Sequence, residues 1–509
     1  MKVKILPVLT VLVSSFLLPT SSFSQGVLTP PGPPEPTMKT LAQVEPRIDI
    51  ATVPGNADVE HDITLPGSYY LTSNLNVTKS IGIRANASGV TIDLNGFAVL
   101  RSTSAALTAI LLTGPAGCTV KNGYIAGGFD SGIQASSTQG FCRSLTLRFI
   151  AGRGISVSDG WVLDGCKVYE SGSGPTGGGI FAGTGSTLNN CTATAMGGIA
   201  GISVGAKSTL TNCSVTGMAG SPGAVGLDVG LGSIVTNCSA TSNTVAFGIR
   251  TQGETVLRDC LARANTSGEA LSAGIAALGP STITGCNSSS NLNSLSNSGH
   301  GIYAPNSSSI QNCIVALNKG NGIEAGSGST ITGCTAKNNG AGSFGFGILV
   351  VDDATVSNST VQGNRNHGVS AGQRCKIDHV NANGNGNVNG SGISTNIRAM
   401  VKNCSAVDNG KNGIVVGGES IVADCRASHN GLNEAGAGID SSGGSGSRIE
   451  GNQVRDNTGI GILGSTSDII IRNSAGNNSS LNYSPSTGAN FGPLQSPNAT
   501  SNPTANIAF

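Results

Sequence analysis

Apolar and polar residues alternate along this chain in short runs, and the runs recur at a nearly fixed interval. In GIEAGSGSTITGCTAK (322–337) the apolar or small positions are Ile323, Ala325, Ile331, Cys334 and Ala336, with polar residues or glycine between them. Spacing of two over such short runs is that of half-buried β-strands, whose successive side chains face opposite ways. The pattern predicts three short strands per copy and no helix. Ile331 and Cys334 lie three apart, so both face inward only if a one-residue bend separates them. The residue before the cysteine is Asn212, Asn237, Asp259, Gly285, Asn312, Gly333, Asn403 or Asp424 in successive copies. These types tolerate positive φ at least cost, so the bend is predicted there.

The interval itself is the strongest signal in the sequence. Eleven positions separate Ile202 from Cys213, and the same offset joins Ile249 to Cys260, Ile323 to Cys334 and Ile414 to Cys425. Substituted copies keep it, as in Ile348 to Ser359, Val369 to Val380 and Ile462 to Asn473. Looser copies begin at Ile110 and Ile133, and the one at Ile439 is two residues longer, so sixteen copies are recognisable. No single copy buries its own small apolar set, so the copies must stack. An all-β parallel β-helix solenoid of about 16 or more coils is expected, a rod of roughly 75 Å if coils stack at about 4.8 Å.

Stacking turns equal offsets into interior columns. Cysteine is read as the occupant of one tight column, where parallel Cβ vectors hold the sulfurs apart and the thiols stay reduced. Cys118, Cys142 and Cys375 lie off that column and are the expected exceptions. Length varies between the cysteine and the next Gly-Ile pair. Long segments such as SSSNLNSLSNSG (288–299) and NNGAGSFG (338–345) are therefore expected to leave one edge of the rod, the natural ligand face.

Composition narrows the function classes. Charged residues make up 11% of the chain, the formal net charge is +1 and aromatics are 4%, which gives no support to nucleic-acid binding. The 13 cysteines form no CxxC pair, which argues against zinc ribbons and thioredoxin-like redox sites. No cofactor or metal site is expected: GGSGSR at 443–448 lacks the Asp of a calcium-binding nonapeptide. Residues 1–24 combine Lys2 and Lys4, an apolar run broken by Pro7, Ser14 and Ser15, and a small-x-small end, the pattern of a cleaved export signal. The expected organisation is a signal at 1–24, a Pro-rich linker at 25–40, an N-terminal cap with the first coils at 41–105, the β-helix at 106–478, and a C-terminal tail or cap at 479–509. No segment of the mature chain reads as a membrane span, so a secreted protein is expected, extracellular, periplasmic or at the cell surface.

The G-I-x-V, T-I-x-N-C-x-A and terminal-Asn pattern resembles the right-handed parallel β-helix repeat proteins, the pectin-lyase-like superfamily with its carbohydrate-binding and sugar-hydrolase repeats. PGSYYLTSNL (66–75) and GVTIDLNGF (89–97) are similar to the cap and first coils of secreted bacterial members. The resemblance covers about residues 45–478 and implies a right-handed, single-stranded helix. It leaves the activity open, since the superfamily includes lyases, hydrolases, epimerases and adhesins. Gly299-His300-Gly301 is similar to the GHG motif of polygalacturonase-like hydrolases, which pair it with carboxylates before the equivalent strands of earlier coils. Here those positions hold Ala273, Phe247 and Val225. The weak catalytic candidates are His300, Tyr303, Glu324, Asp352 and Asp353, with Lys319 near them. Three readings stand: a non-catalytic binder of a polysaccharide or cell-surface glycan along the loop edge, a polysaccharide lyase or glycoside hydrolase with a divergent site, and an adhesin or structural surface rod.

Overall fold

The computed structural model describes residues 47–496 and 502–509, apart from residues 137, 343 and 388. The expected export signal (1–24) and Pro-rich linker (25–40) lie outside the described residues, as does the start of the 41–105 segment. The described chain winds as a right-handed parallel β-helix of about 19 turns, and its one helical piece is the single 3-10 turn Ile50–Thr52. A typical turn contributes Ile323–Ala325 to a first sheet, Thr330–Thr332 to a second and Thr335–Lys337 to a third. Each strand pairs in parallel with its equivalents above and below. Ile302, Ile323 and Ile348 stand in register, as do Ile310, Ile331 and Val356. The alternation is thereby explained, since Ile323, Ala325, Ile331, Cys334 and Ala336 all face the interior and are at most 1% exposed.

Three turns lie beyond the sixteen recognisable copies, with first-sheet strands Val59–Ile63, Ile81–Ala85 and Tyr483–Ser484. At the two ends the isoleucine column holds His61, paired with Ile83, and Tyr483, paired with Ile462. Within 479–509, Asn506–Ala508 lies along Ser474–Gly476, and the Tyr483 hydroxyl sits 2.8 and 2.9 Å from the carbonyls of Asn473 and Ile507.

The bend lies where the pattern placed it. Asn212, Asn237, Asp259, Gly285, Asn312, Gly333, Asn403 and Asp424 all have φ between 52° and 66°, and the next side chain turns inward. All thirteen cysteines are buried and free. Cys118, Cys142 and Cys375 stand outside the main column but are no exception to burial, being at most 1% exposed. Burial raises all three of these thiols above their ordinary pKa, because a thiolate there would be cut off from water.

A second interior column explains the Gly before the first-sheet residue from Gly248 onward. After the third strand comes another positive-φ residue, then a buried asparagine: Asn243, Asn265, Asn291, Asn318, Asn339 and onward to Asn457. These form a ladder. The Asn318 Oδ1 accepts from the Asn291 backbone N–H at 3.0 Å and from its Nδ2 at 2.9 Å, while Asn318 Nδ2 donates to the Ser288 carbonyl and to Asn339 Oδ1. The amide lies so close to the first sheet that a Cβ on Gly322 would stand 2.6 Å from Asn339 Nδ2 and 2.5 Å from the Gly347 carbonyl. Only glycine fits against the ladder.

Two outcomes follow from these columns. Replacing Asn318 with Leu orphans the Asn291 backbone N–H and removes the amide donor from the Ser288 carbonyl, at about 1–3 kcal/mol for the buried N–H. The guanidinium midpoint should fall clearly and the Asn291 amide should exchange faster, whereas Thr335→Ala on the outer face should change stability by about 0.5 kcal/mol or less. A thiol reagent should modify almost none of the thirteen cysteines in the native protein and all of them after unfolding.

Candidate functional site

The outward positions of the first sheet bring part of the predicted set together. His300 begins the strand His300–Ala304, Tyr303 is the outward residue three positions on, and Glu324 is paired with Tyr303 from the next turn. The His300 and Tyr303 rings stack with centroids 5.7 Å apart. Glu324 Oε2 lies 3.5 Å from His300 Nδ1 and accepts from Asn321 Nδ2 at 2.8 Å. Asp352 and Asp353 are not in this group. They occupy the turn after Ile348–Val350, at the opposite end of the first-sheet strand. There Asp353 holds Arg374 through two bonds of 2.7 Å, and Asp352 accepts from the Gln373 backbone N–H at 2.8 Å. Counting coils brings them near Glu324 along the rod, but the strand length separates them across it. Lys319 reaches instead to the Asn293 carbonyl in the return loop.

His300 has a structural task that the motif alone does not reveal. Its Nδ1 accepts the backbone N–H of Asn321 in the next turn at 3.1 Å, so the neutral ring carries its proton on Nε2. Side chains in the same column act alike. Asn321 Oδ1 accepts from the Phe346 N–H, His367 Nδ1 from the Ser391 N–H, and Asn412 Oδ1 from the Ala437 N–H. At these four coils the residue before the Gly supplies an acceptor that spans one coil, as His and Asn both can. Burial lowers the His300 pKa, with the Glu324 carboxylate opposing, and burial lowers that of His367. Tyr303 is raised, by burial first and by Glu324 second. Its ring also packs on an outer apolar cluster of Val225, Ala246, Phe247, Ala273 and Ala276. Earlier along the same face, Arg250 and Asp228 form a bidentate pair at 2.9 and 2.8 Å.

A larger concave feature lies at the return edge, after the third sheet. The long loops leave there, and their first residues form a narrow ladder of their own: Ala219 bridges Thr244, Thr244 bridges Thr266, and Thr266–Ser267 pairs with Leu292–Asn293. Outward side chains of this ladder floor a cleft of about 690 Å³ lined by Thr244, Thr266, Leu292, Lys319 and Ala341. A second cleft of about 690 Å³, lined by Phe149, Ala195, Gly217 and Ala219, meets it at the Ala219–Thr244 bridge. A third, of about 470 Å³, holds Tyr124, Thr146 and Tyr169 and shares Arg148 and Glu170 with the second. Together they make a trough along ten successive coils, about 43 Å at the usual strand spacing. The unequal return lengths pointed to this edge. The individual lining residues had no sequence signal, because they occupy corner positions that accept almost any residue type.

A single-stranded parallel β-helix with an open outer face and a lateral trough is a defined class of solenoid. The chain belongs to the family described as the right-handed beta helix region, whose model matches residues 153–294 and 273–430. No curated protein matches it in sequence. Similar solved structures include the Dettilon tailspike protein, 13% identical, with a TM-score of 0.29, covering 72% of this chain and 62% of the tailspike. The chain thus spans less than two thirds of that protein. The A-module of the Azotobacter vinelandii mannuronan C-5 epimerase AlgE4 is 13% identical over 83% of this chain and 90% of its own, TM-score 0.22. The Streptococcus pneumoniae surface protein and adhesin PfbA is 10% identical over 79% and 93%, TM-score 0.19. Among the described residues no helix is long and apolar enough to cross a membrane.

The His300 contact sets a pH dependence. The unfolded histidine takes up a proton near pH 6.5, while the buried one resists it to lower pH. Its contribution to stability is therefore present above about pH 6.5 and is lost as the pH falls through its lowered folded value. In urea unfolding at pH 5 and pH 8, His300→Asn should keep the acceptor and narrow the stability gap, with His367 supplying part of what remains. His300→Ala should lose stability at both pH values, by about 1–3 kcal/mol for the unpaired Asn321 N–H.

Proposed function

We propose that this chain is a secreted, non-catalytic β-helix that binds an extended glycan along its return edge. The observation that carries the reading is the trough itself, which runs along ten coils and repeats one corner position per coil. A groove of that length suits a polymer rather than a small metabolite, and its repeat supplies one similar contact per coil pitch of about 4.8 Å. The first-sheet cluster supports a binder over an enzyme. His300 Nδ1 is occupied by a backbone donor, and among the described residues no second carboxylate joins His300 and Glu324 to share acid–base work.

Catalysis at His300, Tyr303 and Glu324 is the second reading, favoured by the contact of imidazole, phenol and carboxylate. The two readings separate in one set of measurements. Affinity electrophoresis through gels containing soluble polysaccharides should retard the protein. Thr244→Arg,Thr266→Arg, which fills the trough from two exposed positions, should weaken the retardation at least tenfold with the melting temperature unchanged. Equal retardation of that variant would move binding off this edge. Release of reducing ends or unsaturated uronates by the wild-type chain, lost in His300→Ala,Glu324→Ala, would replace binding by catalysis.

A further inference from the structure

One end of the trough differs from the rest. In a chain with only 4% aromatic residues, Tyr124 and Phe149 are 55% and 53% exposed within two adjoining clefts, and Tyr169 is half-buried beside them. Between the clefts stands Arg148, which donates to Glu170 through Nε at 2.8 Å and Nη2 at 3.1 Å. Its guanidinium also covers the Phe149 ring at 4.7 Å from the centroid. The backbone explains why the ring is presented. Phe149 occupies the left-handed corner, with φ of 57°, where Ala195 and Gly217 stand in later coils, and that corner points a side chain away from the core. An aromatic ring in that conformation is strained by roughly 1–3 kcal/mol, and exposed at the surface it recovers little by burial.

The geometry points to an anchor subsite for neutral hexopyranose units at this end, built on Tyr124, Phe149 and the Arg148–Glu170 pair. This inference rests on the trough being a glycan track and names the class of glycan. The rings supply apolar faces for the C–H surface of a pyranose, and the bidentate pair supplies donors and acceptors for its hydroxyls, the usual division of labour in a ligand cleft. Charge selects the class. Along the clefts Arg148 is matched by Glu170, and Lys319 is joined by Glu269 of the smaller adjoining cleft. A polyuronate would need a run of cations along the trough, whereas among the described residues the three clefts hold Arg148, matched by Glu170, and the single further cation Lys319, which donates to the Asn293 carbonyl.

The test uses the full chain and a named panel in affinity electrophoresis: dextran, hydroxyethylcellulose and galactomannan as neutral probes, polygalacturonate as the anionic one. The expected result is retardation by at least one neutral polymer, unchanged in 0.5 M salt. Tyr124→Ala,Phe149→Ala should weaken it by roughly three- to tenfold per ring. Ala195 shows that alanine is accepted at the corner, and an unchanged melting temperature would confirm that the variant folds. Retardation by polygalacturonate alone, or loss of retardation in salt, would overturn the neutral class. If Thr244→Arg,Thr266→Arg abolishes binding while Tyr124→Ala,Phe149→Ala binds as wild type, the anchor is refuted and the track survives. If no polymer retards the wild-type chain, both fail.

Discussion

From Asn243 onward the asparagine ladder is the constraint on which the stacking of coils depends. Each turn reverses direction at a left-handed corner beside the third sheet, and a backbone bent so sharply presents donors and acceptors toward the interior that no neighbouring strand can satisfy. The side-chain amide does so, taking both an N–H and a carbonyl of the preceding coil, as Asn291, Asn318 and Asn339 do in succession. Each amide has its partners directly above and below, so the ladder is fully satisfied only when the coils are in register. The same closeness requires glycine at positions 301, 322 and 347 on the facing strand. Cohesion is thus local from coil to coil, and from Asn243 onward the two ends of a return loop are fixed by Asn on one side and Gly on the other, while Ser171, Met196 and Met218 fill the Asn position of earlier coils. Whatever lies between is free to vary in length. The edge that carries the trough is a consequence of how the interior is held.

Much of this was legible because the period is rigid. The offset of eleven between Ile and Cys is the distance from the first sheet to the second corner. The bend before each cysteine could be derived from Ile331 and Cys334 facing the same interior. The asparagine was visible as part of a pattern but its reason was not, since the Gly-Asn contact joins residues distant in sequence. The outermost coils escaped recognition because a column that ends at a cap no longer needs a shape matched on both sides, so His61 and Tyr483 can stand where isoleucine otherwise does.

The candidate site was legible in part. Adjacent outward positions brought Tyr303 and Glu324 together as their register required. The role of His300 could be recognised only by comparison with Asn321, His367 and Asn412, a column of acceptors with different side chains. Asp352 and Asp353 illustrate the opposite limit, because a count of coils gives height along the rod and says nothing of position across a strand. The trough has no motif at all. Tyr124 comes beside Phe149, and Thr244 beside Thr266, only through the stacking of coils, and each is unremarkable within its own copy.

The coil pitch also bears on catalysis. It sets each outward acid beside the side chain of a neighbouring turn, and in several places that side chain is arginine: Asp62 with Arg84, Glu170 with Arg148, Asp353 with Arg374, Glu419 with Arg398. In all four the arginine bond is the leading cause that holds the carboxyl below its ordinary pKa. A general acid for glycosidic cleavage needs the reverse, a carboxyl whose proton is retained near neutral pH. Such a group arises where burial or a second acid opposes ionisation, and these four have an arginine there instead. A regular solenoid repeats contacts readily, whereas an acid pair requires one coil to depart from its neighbours. The conspicuous departure along the trough, at Tyr124 and Phe149, adds aromatic surface rather than a carboxylate, in keeping with the proposed binding role.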